Sequence, residues 1–306
     1  MPLHPQAKAV IERRAASGYP PAGSQDEVQV KRQRFNETWR EPGPEVGKVE
    51  DRRIPGPNGD IPIRIYTPPT GSRPFPVLML FHGGGFVLGN INAYDGNARR
   101  LCVGAGCVVV SVDYRVAPEN KFPAAPQDCY AATVWVAENG AGIDVDSTKI
   151  ATCGDSAGGN LAAVVALMSR DRGGPRLSLQ IMRVPVTHRN FSPITIDMEE
   201  TPKSNKEWWW LQYLENESDA KNPYACPMEA EDLSGLPPAL IVTAEYDELR
   251  DEGEAYAERL KQAGIPTTCT RYDGMFHVFQ MYPGYIDVAK EALERECAAL
   301  KEAFSR

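Results

Sequence analysis

The chain has 306 residues, 42% of them hydrophobic and 24% charged, which suits one large domain with a sizeable buried core. Its 41 acidic residues outnumber its 33 lysines and arginines, and the formal net charge of -8 argues against nucleic acid and anionic membranes as partners, because both need a basic patch. The seven cysteines show no metal-ligand spacing such as C-x-x-C, and an odd number cannot all form disulfides.

The N-terminal sequence has no cationic stretch followed by an apolar one, and no segment approaches the roughly 18 apolar residues that a membrane span requires. We therefore expect a cytoplasmic protein with reduced thiols and without stable membrane insertion. No Ser/Gly linker, low-complexity tract or internal repeat marks a domain boundary, which favours one α/β domain with an added lid.

In chain order, the first expected element is a helical segment, residues 6–40, that precedes the core and packs over it. Asn58-Gly59 then joins two β-rich runs, 49–54 and 61–66, which predicts an antiparallel hairpin. Short apolar runs separated by helical patterns predict parallel strands covered on both faces, at 76–81, 108–112, 150–153, 179–184, 239–243 and 267–272. An apolar stripe along residues 287–304 predicts a final helix packed on the sheet.

The sequence Gly154-Asp-Ser156-Ala-Gly158 stands between an apolar run and a helix-forming run, so Ser156 is expected on a strand-to-helix turn. This arrangement is typical of a nucleophile elbow. The flanking glycines fit, because such a turn strains the backbone and brings it close to neighbouring chain. Alone, however, the pattern is a weak signal.

A second glycine pattern lies upstream, where His82-Gly-Gly-Gly85 follows the apolar run 76–81. A glycine loop after a strand directs backbone N–H groups at a developing oxyanion. The two motifs together predict a serine acyl hydrolase. The loop does not match G-x-G-x-x-G, so we expect no dinucleotide, and the chemistry needs neither an organic cofactor nor a metal.

A serine nucleophile needs a base, and histidine is the usual one because its pKa lies near 6.5. Of the four histidines, His4 lies in a terminus expected to be mobile and His82 heads the glycine loop. His277 follows the last predicted strand by a few residues, where this arrangement places its base. His188 is the weaker candidate, because Asp171 is the sole acid between it and the serine that precedes it.

The acid should emerge from the carboxyl end of a strand, where open α/β sheets gather their sites. The run 239–244 delivers Glu245, Asp247 and Asp251. Asp251 also resembles a helix N-cap with an acidic residue three positions later. Spacing favours Asp247 over Glu245, because a residue further into the loop turns more easily towards a histidine on the next one, but it does not decide between them.

Five ordered blocks resemble the hormone-sensitive-lipase-like family of α/β-hydrolase esterases: 81–86 (FHGGGF), 114–119 (YRVAPE), 154–159 (GDSAGG), 243–253 (TAEYDELRDEG) and 272–279 (YDGMFHVF). The resemblance runs from about residue 48 to the end of the chain. It implies an α/β-hydrolase fold, with a mostly parallel sheet of about eight strands flanked by helices and a helical cap. It further implies Ser156 as nucleophile, His277 as base and Asp247 as the orienting acid.

The resemblance also implies an oxyanion hole made of the N–H groups of Gly83, Gly84 and Ala157. It implies a division of the chain into an N-terminal part of the cap, a first part of the core, a cap insertion and a second part of the core, at residues 1–46, 47–187, 188–232 and 233–306.

Within the cap insertion, Ser204-Asn-Lys-Glu207 predicts a capped helix that carries Trp208, Trp209 and Trp210. Consecutive helical residues point about 100° apart, so one face cannot bury all three. Phe86 and these tryptophans are candidate substrate-binding residues. The alternative is that the tryptophans only form lid core and surface contacts.

The reaction implied is hydrolysis of short- to medium-chain carboxylic esters through an acyl-enzyme, with a small-molecule ester as partner and a homodimer left open. An amidase, lactonase or deacetylase on the same triad stays open, because only the pocket distinguishes acyl substrates. The scaffold also resembles plant hormone receptors that bind a small acid under the lid. Those lack the working histidine, whereas His277 is present here, which favours an enzyme.

Overall fold

The computed structural model describes residues 2–17, 27–38, 40–190 and 205–306. Within these ranges the strands are β1 (Lys48–Gly56), β2 (Gly59–Thr67), β3 (Phe75–Phe81), β4 (Val108–Val112), β5 (Val145–Asp155), β6 (Leu177–Arg183), β7 (Ala239–Tyr246) and β8 (Thr267–Phe276). The helices are α1 (Pro5–Ala16), α2 (Val28–Glu37), α3 (Asp95–Ala105), α4 (Ala124–Asn139), α5 (Ala157–Asp171), α6 (Lys206–Tyr213), α7 (Arg250–Gln262) and α8 (Asp287–Ser305). None of these helices combines the length and apolar character that a membrane crossing requires.

The strands form one eight-stranded sheet in the order β1-β2-β4-β3-β5-β6-β7-β8. Strands β1 and β2 pair antiparallel around Asn58-Gly59, β2 also pairs antiparallel with β4, and the other neighbours are parallel. The predicted hairpin and the predicted α/β class with a mostly parallel sheet are therefore confirmed.

Helices cover both faces of the sheet, which explains why its central strands are continuously apolar. In β3, Val77 and Met79 belong to the apolar layer that contains α4, α5 and α7, whereas Leu78 and Leu80 belong to the layer that contains α3 and α8. The apolar stripe of α8 packs as predicted, with Leu300 among the residues fully buried against the sheet.

The two N-terminal helices dock near the carboxyl ends of the strands. His4 caps α1, since its Nδ1 accepts from the Gln6 N–H at 3.3 Å, and its own N–H donates to the Gly274 carbonyl oxygen at 2.9 Å. The expectation that His4 lies in a mobile terminus is therefore wrong. On α2, the Arg32 guanidinium pairs with Glu119 at 2.7 Å and donates to the carbonyl oxygens of two residues beyond β3 and β4, Val87 and Ala117.

Candidate active site

Ser156 occupies the single position between the end of β5 and the start of α5. Its backbone has φ 55° and ψ -118°, a conformation that is strained for a residue with a side chain. Hydrogen bonds hold this turn: the Ser156 N–H donates to the Arg183 carbonyl oxygen at 2.9 Å, and the Ser156 carbonyl oxygen accepts from the Val186 N–H at 3.2 Å. The last residue of β6 and the residues just after it therefore hold the predicted nucleophile elbow in place.

The glycines on either side of Ser156 are required by close backbone packing. A Cβ added to Gly154 would lie 2.6 Å from the Phe81 carbonyl oxygen, and one added to Gly158 would lie 2.7 Å from the His82 carbonyl oxygen. Both distances are shorter than van der Waals contact, so any side chain would force the elbow away from β3. The elbow therefore sits directly against the start of the glycine loop.

Asp247 and His277 meet at the ends of neighbouring strands. Asp247 follows β7, His277 follows β8, and His277 Nδ1 lies 2.8 Å from Asp247 Oδ2. The second carboxylate oxygen of Asp247, which is only 3% exposed, accepts from the Leu249 N–H at 2.9 Å. These contacts fix the carboxylate in place and leave His277 Nε2 as the ring nitrogen available for proton transfer.

Two opposing effects set the pKa of His277. Burial lowers the pKa, and the Arg14 charge lowers it further, whereas the charge and hydrogen bond of Asp247 together with the charge of Asp155 raise it, and the net result lies above the ordinary value for histidine. Ser156 and His277 line the same cavity. No hydrogen bond joins their side chains in the described part of the chain, and such bonds are often long until a substrate is bound.

The other two candidate acids have different partners. Glu245 accepts from the Gly274 N–H at 2.7 Å, so it holds the end of β8, which leads directly to His277. Asp251 pairs with Arg250 at 2.9 Å in the first turn of α7. Its predicted role as N-cap is wrong: Asp247 forms the turn before the helix, its carbonyl oxygen accepts from the Arg250 N–H at 3.1 Å, and Leu249 takes the cap position.

The remaining histidines lie away from the cavity lining. His82 is fully buried, stacks on Tyr114 with ring centroids 4.1 Å apart, and has a pKa lowered by burial. His188 Nε2 pairs with Glu229 at 2.7 Å. Of the four, all of which lie in described ranges, His277 is the histidine that borders the cavity with Ser156.

The structure contradicts the predicted oxyanion-hole role of Gly83. Its N–H donates to the Tyr94 hydroxyl at 2.8 Å and is therefore already used. Gly84 and Gly85 line the cavity with positive φ values of 121° and 61°, and neither N–H makes a hydrogen bond to the described residues. Sequence reasoning missed Gly85 because nothing within a run of three glycines indicates which N–H has an internal partner.

Ala157 is the first residue of α5, where backbone N–H groups have no partner inside the helix. This position is compatible with its predicted part in an oxyanion hole.

A cavity of about 380 Å³ opens over Ser156 and His277. Its walls come from distant parts of the chain: Phe35 of α2, the glycine loop, Trp209 of α6 and Met281 beyond β8. The volume falls in the range of small-molecule sites. In the described ranges, no cluster of three or more histidine, cysteine or acidic side chains is arranged to hold a metal ion.

Comparison with known proteins decides the family. A family model described as the alpha/beta hydrolase fold matches residues 78–281, more than half of the chain. The chain belongs to this α/β hydrolase family.

Two curated relatives from Mycobacterium tuberculosis are similar over most of their length. Esterase LipI is 41% identical over 283 residues, covering 90% of this hydrolase and 88% of the relative. Carboxylesterase NlhH is 40% identical over 290 residues, covering 91% and 90%. Among solved structures, a hyperthermophilic esterase from the archaeon Pyrobaculum calidifontis matches with a TM-score of 0.90 at 40% identity and covers 99% of both chains. The α/β-hydrolase fold, the resemblance to hormone-sensitive-lipase-like esterases and the prediction of an enzyme are confirmed.

The three tryptophans of this α/β hydrolase have different surroundings. Trp209 and Trp210 line the cavity, but Trp208 is not part of its lining, which corrects the prediction for that residue. Trp208 packs edge-on against Trp209 with ring centroids 4.8 Å apart, and the buried Lys31 ammonium lies 4.6 Å from its ring centre. Within one turn of helix, Trp209 and Trp210 therefore face the cavity and Trp208 packs outside it, as expected for consecutive residues that point about 100° apart.

Phe86 also lines the cavity, and it stacks on Tyr213 with ring centroids 3.7 Å apart. The predicted cap residue of the tryptophan helix, Ser204, lies outside the described residues. Asn205 takes the N-cap position of α6, where its side-chain oxygen accepts from the Trp208 N–H at 3.1 Å.

Proposed function

We propose that the protein is a serine carboxylesterase that hydrolyses short- to medium-chain carboxylic esters through an acyl-enzyme. The observation that carries this proposal is that Ser156, on a strained strand-to-helix turn, shares one cavity with His277, whose Nδ1 lies 2.8 Å from the Asp247 carboxylate. The names of the two relatives from Mycobacterium tuberculosis, esterase and carboxylesterase, point to the same reaction.

In the proposed acylation step, His277 Nε2 takes the proton of the Ser156 hydroxyl as its oxygen attacks the ester carbonyl. Asp247 holds the imidazole in the tautomer that leaves Nε2 free, and its charge stabilises the imidazolium that forms. His277 then gives the proton to the leaving alcohol. A water molecule, deprotonated by the same nitrogen, attacks the acyl carbonyl; the bond to Ser156 Oγ breaks, His277 returns the proton to Oγ, and the carboxylic acid leaves.

Negative charge that develops on the carbonyl oxygen needs donors at a fixed position. We assign this role to the backbone N–H groups of Gly84, Gly85 and Ala157. Each such donor contributes roughly 10²- to 10³-fold in rate, because fixed dipoles need no reorganisation as charge develops.

We further propose that residues 1–46 and 188–232 form a cap, of which residues 1, 18–26, 39 and 191–204 lie outside the described ranges, and that residues 47–187 and 233–306 form the hydrolase core. The aromatic lining contributed by Phe86, Trp209 and Trp210 and the cavity volume of about 380 Å³ suit a small ester with an apolar group. We also propose a cytoplasmic location, which subcellular fractionation tests, and a homodimer, which sedimentation analysis tests.

Two other classes of function compete with this proposal. An amidase, lactonase or deacetylase would use the same three residues, and the names of the relatives favour carboxylic esters over these substrates. A small-molecule receptor on this scaffold would need no base. The contact between His277 and Asp247, which supports proton transfer, favours an enzyme over a receptor.

The proposal is tested with p-nitrophenyl esters of increasing acyl length, assayed with and without a serine-directed phosphonate. Turnover should be highest for short and medium chains, and mass spectrometry should find the phosphonate on the peptide that contains Ser156. Ser156→Ala should lower turnover by roughly 10⁴-fold or more while circular dichroism stays unchanged. Phosphonate attached to another residue, or ligand binding without turnover of any ester, would contradict the proposal.

A further inference from the structure

Two consecutive peptide groups of the glycine loop are held by side chains. In the first, which joins His82 to Gly83, the carbonyl oxygen accepts from the Tyr114 hydroxyl at 2.7 Å and the N–H donates to the Tyr94 hydroxyl at 2.8 Å. In the second, which joins Gly83 to Gly84, the carbonyl oxygen accepts from His82 Nδ1 at 2.9 Å.

These contacts determine where the next N–H points. A trans peptide group is planar, and its C=O and N–H bonds point in opposite directions. Holding the Gly83 carbonyl oxygen towards the His82 ring therefore turns the Gly84 N–H the other way. Glycine has little conformational preference of its own, so the loop depends on such outside contacts for its orientation.

The hydroxyl that accepts from the Gly83 N–H also reaches the nucleophile elbow. Tyr94 donates to Asp155 Oδ2 at 2.7 Å, and Asp155 is the residue directly before Ser156. Tyr94 is 4% exposed and Asp155 is 1% exposed, so both hydrogen bonds are largely buried, at the edge of the cavity that the two residues help to line. One oxygen atom thus links the loop after β3 to the turn after β5.

The space around this link is filled. A Cβ added to Gly83 would lie 2.8 Å from the Tyr94 hydroxyl oxygen and would overlap Asp155 Oδ2. The His82 ring lies against Tyr94, with ring centroids 5.8 Å apart. A side chain at residue 83 would therefore disrupt this pair of hydrogen bonds.

We propose that Tyr94 is a positioning residue, whose hydroxyl fixes the separation between the Gly84 and Gly85 N–H donors and Ser156. This proposal rests on the proposed function, since the separation matters only when an oxyanion forms at Ser156. Displacement of catalytic groups by about 1 Å costs up to roughly 10²-fold in rate. Loss of the Tyr94 hydroxyl should therefore reduce transition-state stabilisation more than substrate binding.

The test compares Tyr94→Phe with Tyr66→Phe. Tyr66 is a matched control because it is also fully buried beside α3 and its hydroxyl also donates to a carboxylate, Asp95 Oδ1 at 2.9 Å, but it does not contact the glycine loop or line the cavity. Tyr94→Phe should lower kcat for a short-chain ester by roughly 10- to 10²-fold with KM changed by less than about threefold. It should weaken binding of a trifluoromethyl ketone, which forms a tetrahedral adduct on serine, by the same factor as it lowers kcat/KM.

A double-mutant cycle with Asp155→Ala separates positioning from general loss of stability. If the two residues act as one link, the double variant should lose no more kcat than the worse single variant. If the two substitutions cause independent structural defects, their losses of kcat should instead be additive as free energies in the double variant. kcat is measured at alkaline pH, where His277 is neutral in every variant and kcat no longer changes with pH. This is necessary because the Asp155 charge raises the pKa of His277, which Asp247 and Arg14 also influence. If Tyr94→Phe does not fold, the kcat of Asp155→Ala is the test, and it should be lower than the wild-type kcat.

Turnover by the wild type and phosphonate labelling of Ser156 test the proposed function independently. Once turnover and labelling are observed, the positioning role is overturned if the kcat values of Tyr94→Phe and Tyr66→Phe agree within about threefold. It is also overturned if the losses of kcat in the double-mutant cycle are additive. Retained kcat in a folded Asp155→Ala variant overturns it as well.

Discussion

The indole ring of Trp209 lies where a side chain at residue 85 would project. A Cβ added to Gly85 would lie 2.8 Å from Cδ2 of Trp209 and 3.0 Å from Cζ3, with a third ring atom closer still. The glycine loop and helix α6 are therefore in direct contact at the cavity. This contact ties the proposed oxyanion donors to a residue of the proposed cap.

The first prediction follows from this contact. Gly85→Ala should lower kcat by roughly 10-fold or more, because relief of the clash moves either the loop or Trp209. Gly173→Ala is the matched control, since Gly173 has a nearly equal φ of 60° but nothing within 4 Å of an added Cβ. Both variants should lose about 1–2 kcal/mol of unfolding free energy from backbone strain. Equal kcat in the two variants would show that the contact has no part in turnover.

The second prediction concerns the acid. Asp247→Asn should lower kcat by roughly 10³- to 10⁴-fold, by analogy with serine proteases, because the isosteric amide removes the charge that orients and stabilises the imidazolium. Glu245→Gln should cost much less, since Glu245 contacts a backbone N–H and not His277. Asp251→Asn should hardly matter, because its ion pair with Arg250 lies near the surface. All three are assayed on one short-chain ester with folding checked by circular dichroism. A larger loss at residue 245 or 251 than at 247 means that the acid is misassigned.

The third prediction concerns pH. Only neutral His277 accepts the serine proton, so kcat/KM should rise with pH through the pKa of His277. Because Asp247 and Asp155 together hold this pKa above its ordinary value of about 6.5, the wild-type midpoint should lie above that value. Asp247→Asn should move the midpoint to lower pH. Arg14→Gln should move it to higher pH, because the Arg14 charge lowers the pKa. A flat profile from about pH 5 to 9 on a chemistry-limited ester would exclude His277 as the base.

The fourth prediction concerns acyl length. Trp209→Ala and Trp210→Ala enlarge the cavity, so each should raise the ratio of kcat/KM for long-chain over short-chain esters, by roughly tenfold for a well-filled pocket. Trp208→Ala is the control, because Trp208 packs behind Trp209 and outside the cavity lining. It should lower the thermal midpoint and leave the ratio unchanged. An unchanged ratio in all three variants would remove the tryptophans from the acyl site.

Local patterns were sufficient to predict the strands, but not their order in the sheet. Asn58-Gly59 and the alternation that follows specify a hairpin within a few residues, and each buried parallel strand appears as a short apolar run. The elbow at Ser156 is also local, since a strand, a glycine-flanked serine and a helix succeed one another directly.

The parts of the site that spacing alone did not decide depend on contacts between distant residues. Which carboxylate meets His277 is determined by the pairing of β7 with β8, where Tyr246 lies opposite Phe276. The Gly83 N–H has a hydrogen-bond partner because the start of α3 places the Tyr94 side chain over the glycine loop. Neither relationship leaves a periodic signal in the sequence.

A buried ion pair was missed for the same reason. Arg183 at the end of β6 pairs with Glu296 of α8, and both side chains are 1% exposed. Glu296 lies beside the apolar stripe that was predicted for the last helix and has no distinguishing neighbour in the sequence. Only the packing of α8 across the sheet reveals that a charge at this position is buried opposite an arginine.

The pairing of β3 with β5 positions the reacting groups, whereas other segments of the chain determine which esters fit. Phe81 and Gly154 pair across these adjacent strands, so the glycine loop and the elbow leave the sheet side by side at a spacing that the backbone ladder determines. Part of the cavity wall above them comes from α1, α2, the segment 40–41 and α6. Substitutions in these segments, other than at Trp209 beside Gly85 and at Arg14, whose charge acts on His277, can therefore diversify the accepted esters during evolution without altering the spacing that β3 and β5 set. Chimeras that exchange these segments with relatives but keep Arg14 and Trp209 should inherit the donor's ester preference on an unchanged reaction centre.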